Sequence, residues 1–387
     1  MSYAVDLLFG PQHPALHEPE RFRFKVDGEI IVDVDVKIGF IHRGIEKLAE
    51  SKNFIQNIYL TERICGICNV AHTLCYVQAV EDMAGIEVPE RAKYLRVIVH
   101  ELNRIHSHLL ILGVAAELLG WETEFMYLWR DREAIMDIIE DVSGNRVTSA
   151  FNTIGGVRRD INNTQKERML KVLDKVEKDT RFHKKVLEED PLYRERMVNM
   201  GVLKTRDAIE RCAVGPTARG SNVDYDVRAH DPYAAYDEIP FNVIRYKECD
   251  SWARMMVRVD ETLESINIIR YALKHLPGGE IRVKVPPRLP AGEGLSRVEA
   301  PRGELIHHVF CKGDVKPYRL KVRTPTFANI LAIAPTFIGH TIADVPAILV
   351  SIDPCFSCTD RLTFVDVSSG KVMKLSLGEI KRMYWSR

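Results

Sequence analysis

At 387 residues, with 46% apolar and 28% charged positions, the chain has material for one large core or two or three merged subdomains, and its composition excludes disorder. Lysine plus arginine and aspartate plus glutamate both number 54, so the formal net charge is zero, and no overall basic field points to nucleic acid or anionic lipid as a partner. So little net repulsion suits a subunit that buries surface against others.

The opening "MSYAVDLLFGPQHPALHEPERF" lacks the basic start and the apolar stretch of about 7–15 residues that a secretory signal requires, which reads as cytoplasmic. Around Asp27-Gly28, "ERFRFKVDGEIIVDVDVKIGF" alternates apolar and charged positions, which predicts a β-hairpin or small sheet. From Pro89, apolar residues recur at helical spacing as far as Gly120, predicting a long, mostly buried helix. Its most apolar part, "SHLLILGVAAELLGW", is broken by Glu117 and falls short of the ~20 residues that span a bilayer, so membrane attachment is expected through partners. Further helices are predicted over 122–143, 164–190 and 249–276, the last stopped by Pro277-Gly278-Gly279. About four long helices in one chain suggest an antiparallel bundle.

Beyond residue 280 the texture changes to short alternating runs. "ELIHHVFCKGDVKPYRLKVRTP" predicts strands about a Gly-Asp turn, and a helix is expected near 325–338. The expected fold class is α+β: an N-terminal β region over 1–60, a helical core over 61–279, a mixed α/β region over 280–361 and an extension over 362–387, all one integrated unit. No repeat or low-complexity segment stands out.

Eight cysteines are present, and in a reducing compartment clustered ones point to metal or redox chemistry. Cys65/Cys68 and Cys355/Cys358 are each Cys-x-x-Cys, a spacing that brings two thiolates to one metal from a single turn. Such donors select zinc, iron–sulfur or another thiophilic metal, although one pair alone also fits a redox motif. Zinc ribbons keep their pairs within about 15–20 residues. Here the pairs lie at opposite ends of the chain, so a shared centre would sit inside a large fold. Cys75, Cys212, Cys249 and Cys311 are isolated and are expected to behave as small buried hydrophobes.

The surroundings of the two pairs carry a resemblance. "RICGICNVAH" and "DPCFSCTDR" are similar to the two nickel-binding signatures of the [NiFe]-hydrogenase large subunit, with Arg63, Cys65, Gly66, Cys68 and His72 in the first and Asp353, Pro354, Cys355, Cys358 and Arg361 in the second. Arg361 in place of histidine, together with "GPQHPALHEPERF", "GFIHRGIEKLAE", "GNRVTSAFNTIGGVRRDI", "AVGPTARGS", "EAPRGELIHH" and "RTPTFANI", resembles the membrane-bound, energy-converting (Ech-type) branch, related to the 49 kDa quinone-site subunit of respiratory complex I. The resemblance covers essentially the whole chain.

It implies a nickel–iron centre with carbon monoxide and cyanide on the iron, Cys65 and Cys355 as terminal nickel ligands, and Cys68 and Cys358 as bridging ones. It implies that Glu18 relays protons to a terminal cysteine, and that Arg302, preceded by Pro301, lies over the metal site with Asp353 orienting it. Ser107 stands where many soluble and periplasmic relatives carry an aspartate. His13 matches a segment that lies by the quinone head group in complex I relatives; the tyrosine used there falls where this chain reads "TERICGIC", which disfavours quinone binding. No cysteine set remains for an iron–sulfur cluster in this chain. Electrons are therefore expected through an iron–sulfur small subunit, from reduced ferredoxin, in a complex whose membrane subunits move ions, with this chain on the cytoplasmic side. The family's maturation protease cuts just after the second signature, yet this chain continues past Arg361 with a stretch whose "VDVSSGKVMKL" reads as a hairpin. That tail fits an uncut precursor, a retained tail, or a protein that never loads nickel. The last case matches relatives that reduce sulfane sulfur or polysulfide, or a connector whose cysteines are vestigial or hold zinc.

Overall fold

The computed structural model describes residues 4–359 and two short strands, Phe364–Val365 and Val372–Met373. The first strands, β1 (Val5–Phe9), β2 (Arg21–Asp27) and β3 (Ile30–Lys37), form an antiparallel sheet in chain order. The β2–β3 hairpin turns at Asp27-Gly28 as its sequence predicts, and Gly28 takes the left-handed conformation there. Phe22 and Phe24, both 0% exposed, point from one face of β2 onto Phe337 and Phe356. The period-2 alternation thus places the sheet's apolar face against the segment carrying the second cysteine pair.

Helix α1 (Phe54–Glu62) starts at Asn53, whose side chain accepts from the Gln56 amide while Gln56 reaches back to the Asn53 amide. After a six-residue loop comes α2 (Asn69–Ala84). Neither was anticipated from the sequence: α2 is buried on nearly every side, so its apolar residues show no single stripe. Helices α3 (Glu90–Leu118), α4 (Glu122–Ser143), α5 (Asn163–Glu189) and α6 (Ser251–Lys274) match the predicted long helices. α3 packs on α4 and α6, and α5 packs on the same two, which closes the expected bundle.

The sequence pattern does not show that this bundle's interior is charged. Glu101, Glu261, Glu299 and Asp226 meet Arg104, Arg219 and Arg228 in one buried network, with contacts such as Arg219–Glu261 at 2.6 Å and Arg228–Asp226 at 2.7 Å. Charges this deep persist because they are mutually paired.

The C-terminal sheet is β4 (Ala291–Ala300), β5 (Gly303–Lys312) and β6 (Arg319–Arg323), antiparallel and laid on α2. β5 and β6 are the strands expected about Gly313-Asp314, whereas β4 was not anticipated. Ala300 pairs with Gly303, so Pro301 and Arg302 form the two-residue tip of the β4–β5 hairpin. Gly303 has φ +126°, and a Cβ there would lie 2.7 Å from the Gly215 nitrogen, so only glycine fits. Helix α7 (Pro325–Ile333) follows, continued by a 3-10 turn to Phe337, as expected. A short helix (Val345–Val350) leads into the second cysteine loop. The two strands beyond it pair antiparallel, Val365 opposite Val372, as the hairpin reading of the tail predicts. Among the described residues no helix is long and apolar enough to cross a membrane.

Candidate metal centre

The loop between α1 and α2 carries the first pair. Cys65 lies in mid-loop and Cys68 is the residue before α2. The loop is held from inside by α3: Asn103 Nδ2 donates to the Ile67 carbonyl at 2.8 Å, and His106 Nε2 lies 3.0 Å from the same oxygen. The amides of Ile67 and Cys68 donate to Cys65 Sγ, each at 3.4 Å.

The second pair arrives from 290 residues downstream, and Cys355 Sγ lies 3.2 Å from Cys65 Sγ and 3.2 Å from Cys358 Sγ. Cys65, Cys355 and Cys358 form one group able to hold an ion, and Cys68, His72 and Cys358 form a second that shares Cys358. All four cysteines are buried. Hydrogen bonds from Cys355 above all, then Cys358 and Cys68, hold the Cys65 thiol well below its ordinary value. Its neighbours Cys355 and Cys65 push Cys358 well above the usual range. Four sulfurs this close lose their protons together only when a cation compensates them, which is the donor set a thiophilic metal requires.

Arg302 reaches the cluster from the hairpin tip. Its Nη2 lies 2.6 Å from Asp353 Oδ1, its Nε donates to the Asp353 carbonyl at 2.8 Å, and its Nη1 sits 3.5 Å from Ser107 Oγ. Burial alone would depress it, but Asp353, then Cys355, Cys65 and Cys68, hold this guanidinium well above its ordinary range. Asp353 itself has φ +54°, an uncommon conformation that aspartate tolerates better than most residues. Pro301 is buried beside Arg302 and fixes the turn.

Glu18 is half-buried, and its carboxylate accepts the amide and the hydroxyl hydrogens of Ser357, inside the second Cys-x-x-Cys. His72, on the first turn of α2, places Nε2 3.7 Å from Cys358 Sγ. Two expected residues stand apart. Arg63 is exposed and turns its Nη1 to the Tyr59 carbonyl, closing α1 rather than facing the sulfurs. His13 stacks on Phe9 at 3.8 Å and accepts from the Ala15 amide. Arg361 lies outside the described residues.

Several site residues escaped the sequence reading. Arg43 donates to the carbonyls of Arg63, Ile64 and Ser357, tying both cysteine loops together; it sits in the quoted "HRG", which offered no hint of that reach. Glu20 is fully buried beside Glu18 and Thr359, and burial, the largest cause, pushes its carboxyl up to about 8. Arg254 and Arg258, one turn apart on α6, both hold Ser351: Arg254 Nε donates to its hydroxyl at 2.9 Å and Arg258 Nη1 to its carbonyl at 2.8 Å. Of the other cysteines, Cys75 and Cys311 are buried as expected, Cys249 is partly exposed and Cys212 is exposed, against expectation; none joins the cluster.

A cavity of about 200 Å³ opens beside the sulfurs. Leu110, Ile111, Val114, Trp129 and Leu349 give it apolar walls, and Glu18, Arg302 and Cys355 stand at its polar end.

Residues 119–288 and 282–361 match the family model described as "Respiratory-chain NADH dehydrogenase, 49 Kd subunit", and residues 43–174 match "Nickel-dependent hydrogenase". The chain is 42% identical to the membrane-bound hydrogenase subunit alpha of Pyrococcus furiosus, over 99% of this chain and 95% of that protein. It is 42% identical to the carbon monoxide-induced hydrogenase of Rhodospirillum rubrum (91% and 98% covered) and 41% identical to a subunit of the F(420)H(2) dehydrogenase of Methanosarcina mazei (91% and 96%). A chain of the membrane-bound sulfane sulfur reductase, an archaeal respiratory membrane complex, superposes with a TM-score of 0.88 at 34% identity, covering 92% of this chain and 98% of that one. Fold and matches together define a large subunit of the complex I-like oxidoreductases. Within that class the chain belongs to the large-subunit family of membrane-bound [NiFe]-hydrogenases, related to the complex I 49 kDa subunit.

Proposed function

We propose that this chain is the catalytic large subunit of a membrane-bound, energy-converting [NiFe]-hydrogenase, reversibly reducing protons to H₂ with electrons from reduced ferredoxin. The observation that carries the reading is the meeting of two Cys-x-x-Cys pairs, Sγ to Sγ at 3.2 Å, across 290 residues of chain. A nickel–iron centre with carbon monoxide and cyanide on its iron would supply the redox chemistry, interconverting two protons and two electrons with H₂.

Cys65, Cys68, Cys355 and Cys358 would hold the centre, Cys65 and Cys355 on nickel alone. Glu18 accepts and returns protons at its carboxylate, beside the loop that carries Cys355, and Glu20 behind it is a carboxyl that burial keeps able to hold a proton near neutral pH. Arg302, fixed by Asp353, presents fixed positive charge to the sulfurs, and its electrostatic effect is large because both residues are buried. The largely apolar cavity suits a small nonpolar gas. Electrons enter through an iron–sulfur small subunit, since the described residues hold no second cysteine cluster. The chain sits peripherally on the cytoplasmic face of a complex whose integral subunits move ions.

A second reading, sulfane-sulfur reduction at a partner's cluster, is favoured by the similarity to the sulfur reductase chain. Infrared spectroscopy of the purified native complex separates the two. Bands from metal-bound carbon monoxide and cyanide, lost in Cys355→Ser, support the hydrogenase; their absence from active complex supports the sulfur chemistry.

A further inference from the structure

His72 and His307 are both fully buried, and Nδ1 of His72 lies 3.2 Å from Nε2 of His307. His72 comes from α2, four residues after Cys68, while His307 comes from β5, five residues after Arg302. On its far side His72 turns Nε2 toward Cys358 Sγ at 3.7 Å, and on its far side His307 has an Nδ1 with no hydrogen-bond partner. Both rings are fully buried, where an unpaired imidazolium charge is costly, which favours the neutral imidazole in each.

A neutral imidazole carries one N–H and one lone pair, so two facing rings admit two arrangements. In one, His72 donates from Nδ1; its Nε2 lone pair then faces sulfur, and His307 is left with an N–H aimed into a buried space with no acceptor. In the other, His307 donates from Nε2; His72 then carries its hydrogen on Nε2, aimed at Cys358, and the orphan atom on His307 is only a lone pair. A buried N–H left without an acceptor bears its full desolvation cost, a larger loss than an unused ring lone pair. A metal-bound thiolate is an acceptor and cannot meet a lone pair favourably. Both ends of the chain select the second arrangement.

We infer that His307 is a positioning residue that fixes the tautomer of His72 and thereby gives the Cys358 thiolate a hydrogen-bond donor. This rests on the reading that Cys358 binds metal. A donor on a ligating sulfur draws charge from it and lowers the electron density at the metal. Loss of that donor leaves more charge for the diatomic ligands, so their stretching bands fall.

The test compares the native complex with His307→Leu, which removes the donor, and His307→Gln, whose side-chain amide restores it. In the infrared, the carbon monoxide and cyanide bands should move together to lower wavenumber in the leucine variant and return close to their original positions in the glutamine variant. Unmoved bands in His307→Leu, or equal shifts in both variants, overturn the inference. Absence of bands from the unsubstituted complex counts against the nickel–iron reading instead. In that case, or where His307→Leu does not accumulate, nitrogen-15 NMR of the unsubstituted full chain, labelled at histidine and loaded with zinc as the probe, decides alone. His72 should appear as the Nε2–H tautomer; an Nδ1–H tautomer, or a chain that takes up no zinc, overturns the proposal.

Discussion

Glu18 and Arg302 come to the second cysteine loop from distant parts of the chain, and the proposed function gives them separable roles. Glu18→Gln keeps the shape but removes the proton acceptor, and a well-placed acid–base group contributes about 10²–10⁴-fold. We expect H₂ turnover to fall within that range while the infrared bands stay in place; unchanged turnover would dismiss Glu18 as the relay. Glu20 behaves differently. Its carboxyl titrates at about 8 in the fold against 4.5 in the free state, so its contribution to stability is complete below pH 4.5 and is lost as pH rises through 8. Glu20→Gln should therefore gain on the parent protein in urea-unfolding midpoints measured between pH 7 and 9. Cys65, Cys68, Cys355, Cys358, Glu18, Arg302 and Asp353, which the structure brings together, were legible through the resemblance of their motifs to the hydrogenase signatures. Arg43, Glu20 and His307 were not, because their roles rest on contacts between segments far apart in sequence.

At the scale of elements, the α6 arginines and the β4–β5 hairpin hold the two halves of the site. Ser351 accepts from Arg254 and so links α6 to the segment leading to Asp353 and Cys355. Ser351→Ala strands a buried guanidinium N–H, which costs about 1–3 kcal/mol. The expected result is a lower urea midpoint together with poorer metal retention on dialysis. In the α4–α5 seam, His183 lies between Glu124 at 2.6 Å and Asp131 at 3.0 Å. Burial alone would lower its pKa, yet hydrogen bonds to Asp131 and Glu124 raise it to about 9. This ion pairing stabilises fully below pH 6.5 and is lost as pH rises through 9. His183→Gln should flatten the fall in stability across that window, and an unchanged profile would show the cluster to be inert. The four long helices were legible because helical spacing runs through each for many turns, with stops such as Gly120 and Pro277-Gly278-Gly279. α1, α2 and β4 were not: α2 is buried on nearly every side with polar residues such as His72 and Glu81 among its apolar ones, and β4 contains two glycines and polar positions that weaken any strand pattern. The charged bundle interior was hidden for the opposite reason, since a buried ion network and a solvated face look alike in one dimension.

At the scale of the whole molecule, the site sits where the N-terminal sheet, the first helices, the C-terminal sheet and the second cysteine loop converge. The sequence announced a shared centre between the two ends, but not that Phe22 would lie against Phe356, inside the second Cys-x-x-Cys. Metal removal should therefore loosen more than a loop. In the metal-free chain the residues from Ser351 to Thr359 should become a preferred site of limited proteolysis, and equal cleavage with and without metal would argue that packing alone closes the site. The 290 residues between Cys65 and Cys355 also set a timetable. At about 5–20 residues per second, synthesis of that interval takes roughly 15–60 s, during which the first pair waits on the ribosome without the sulfurs that complete its ligand set. For the proposed metal centre, delivery must therefore either guard two thiols on a growing chain or wait until the second pair has been made.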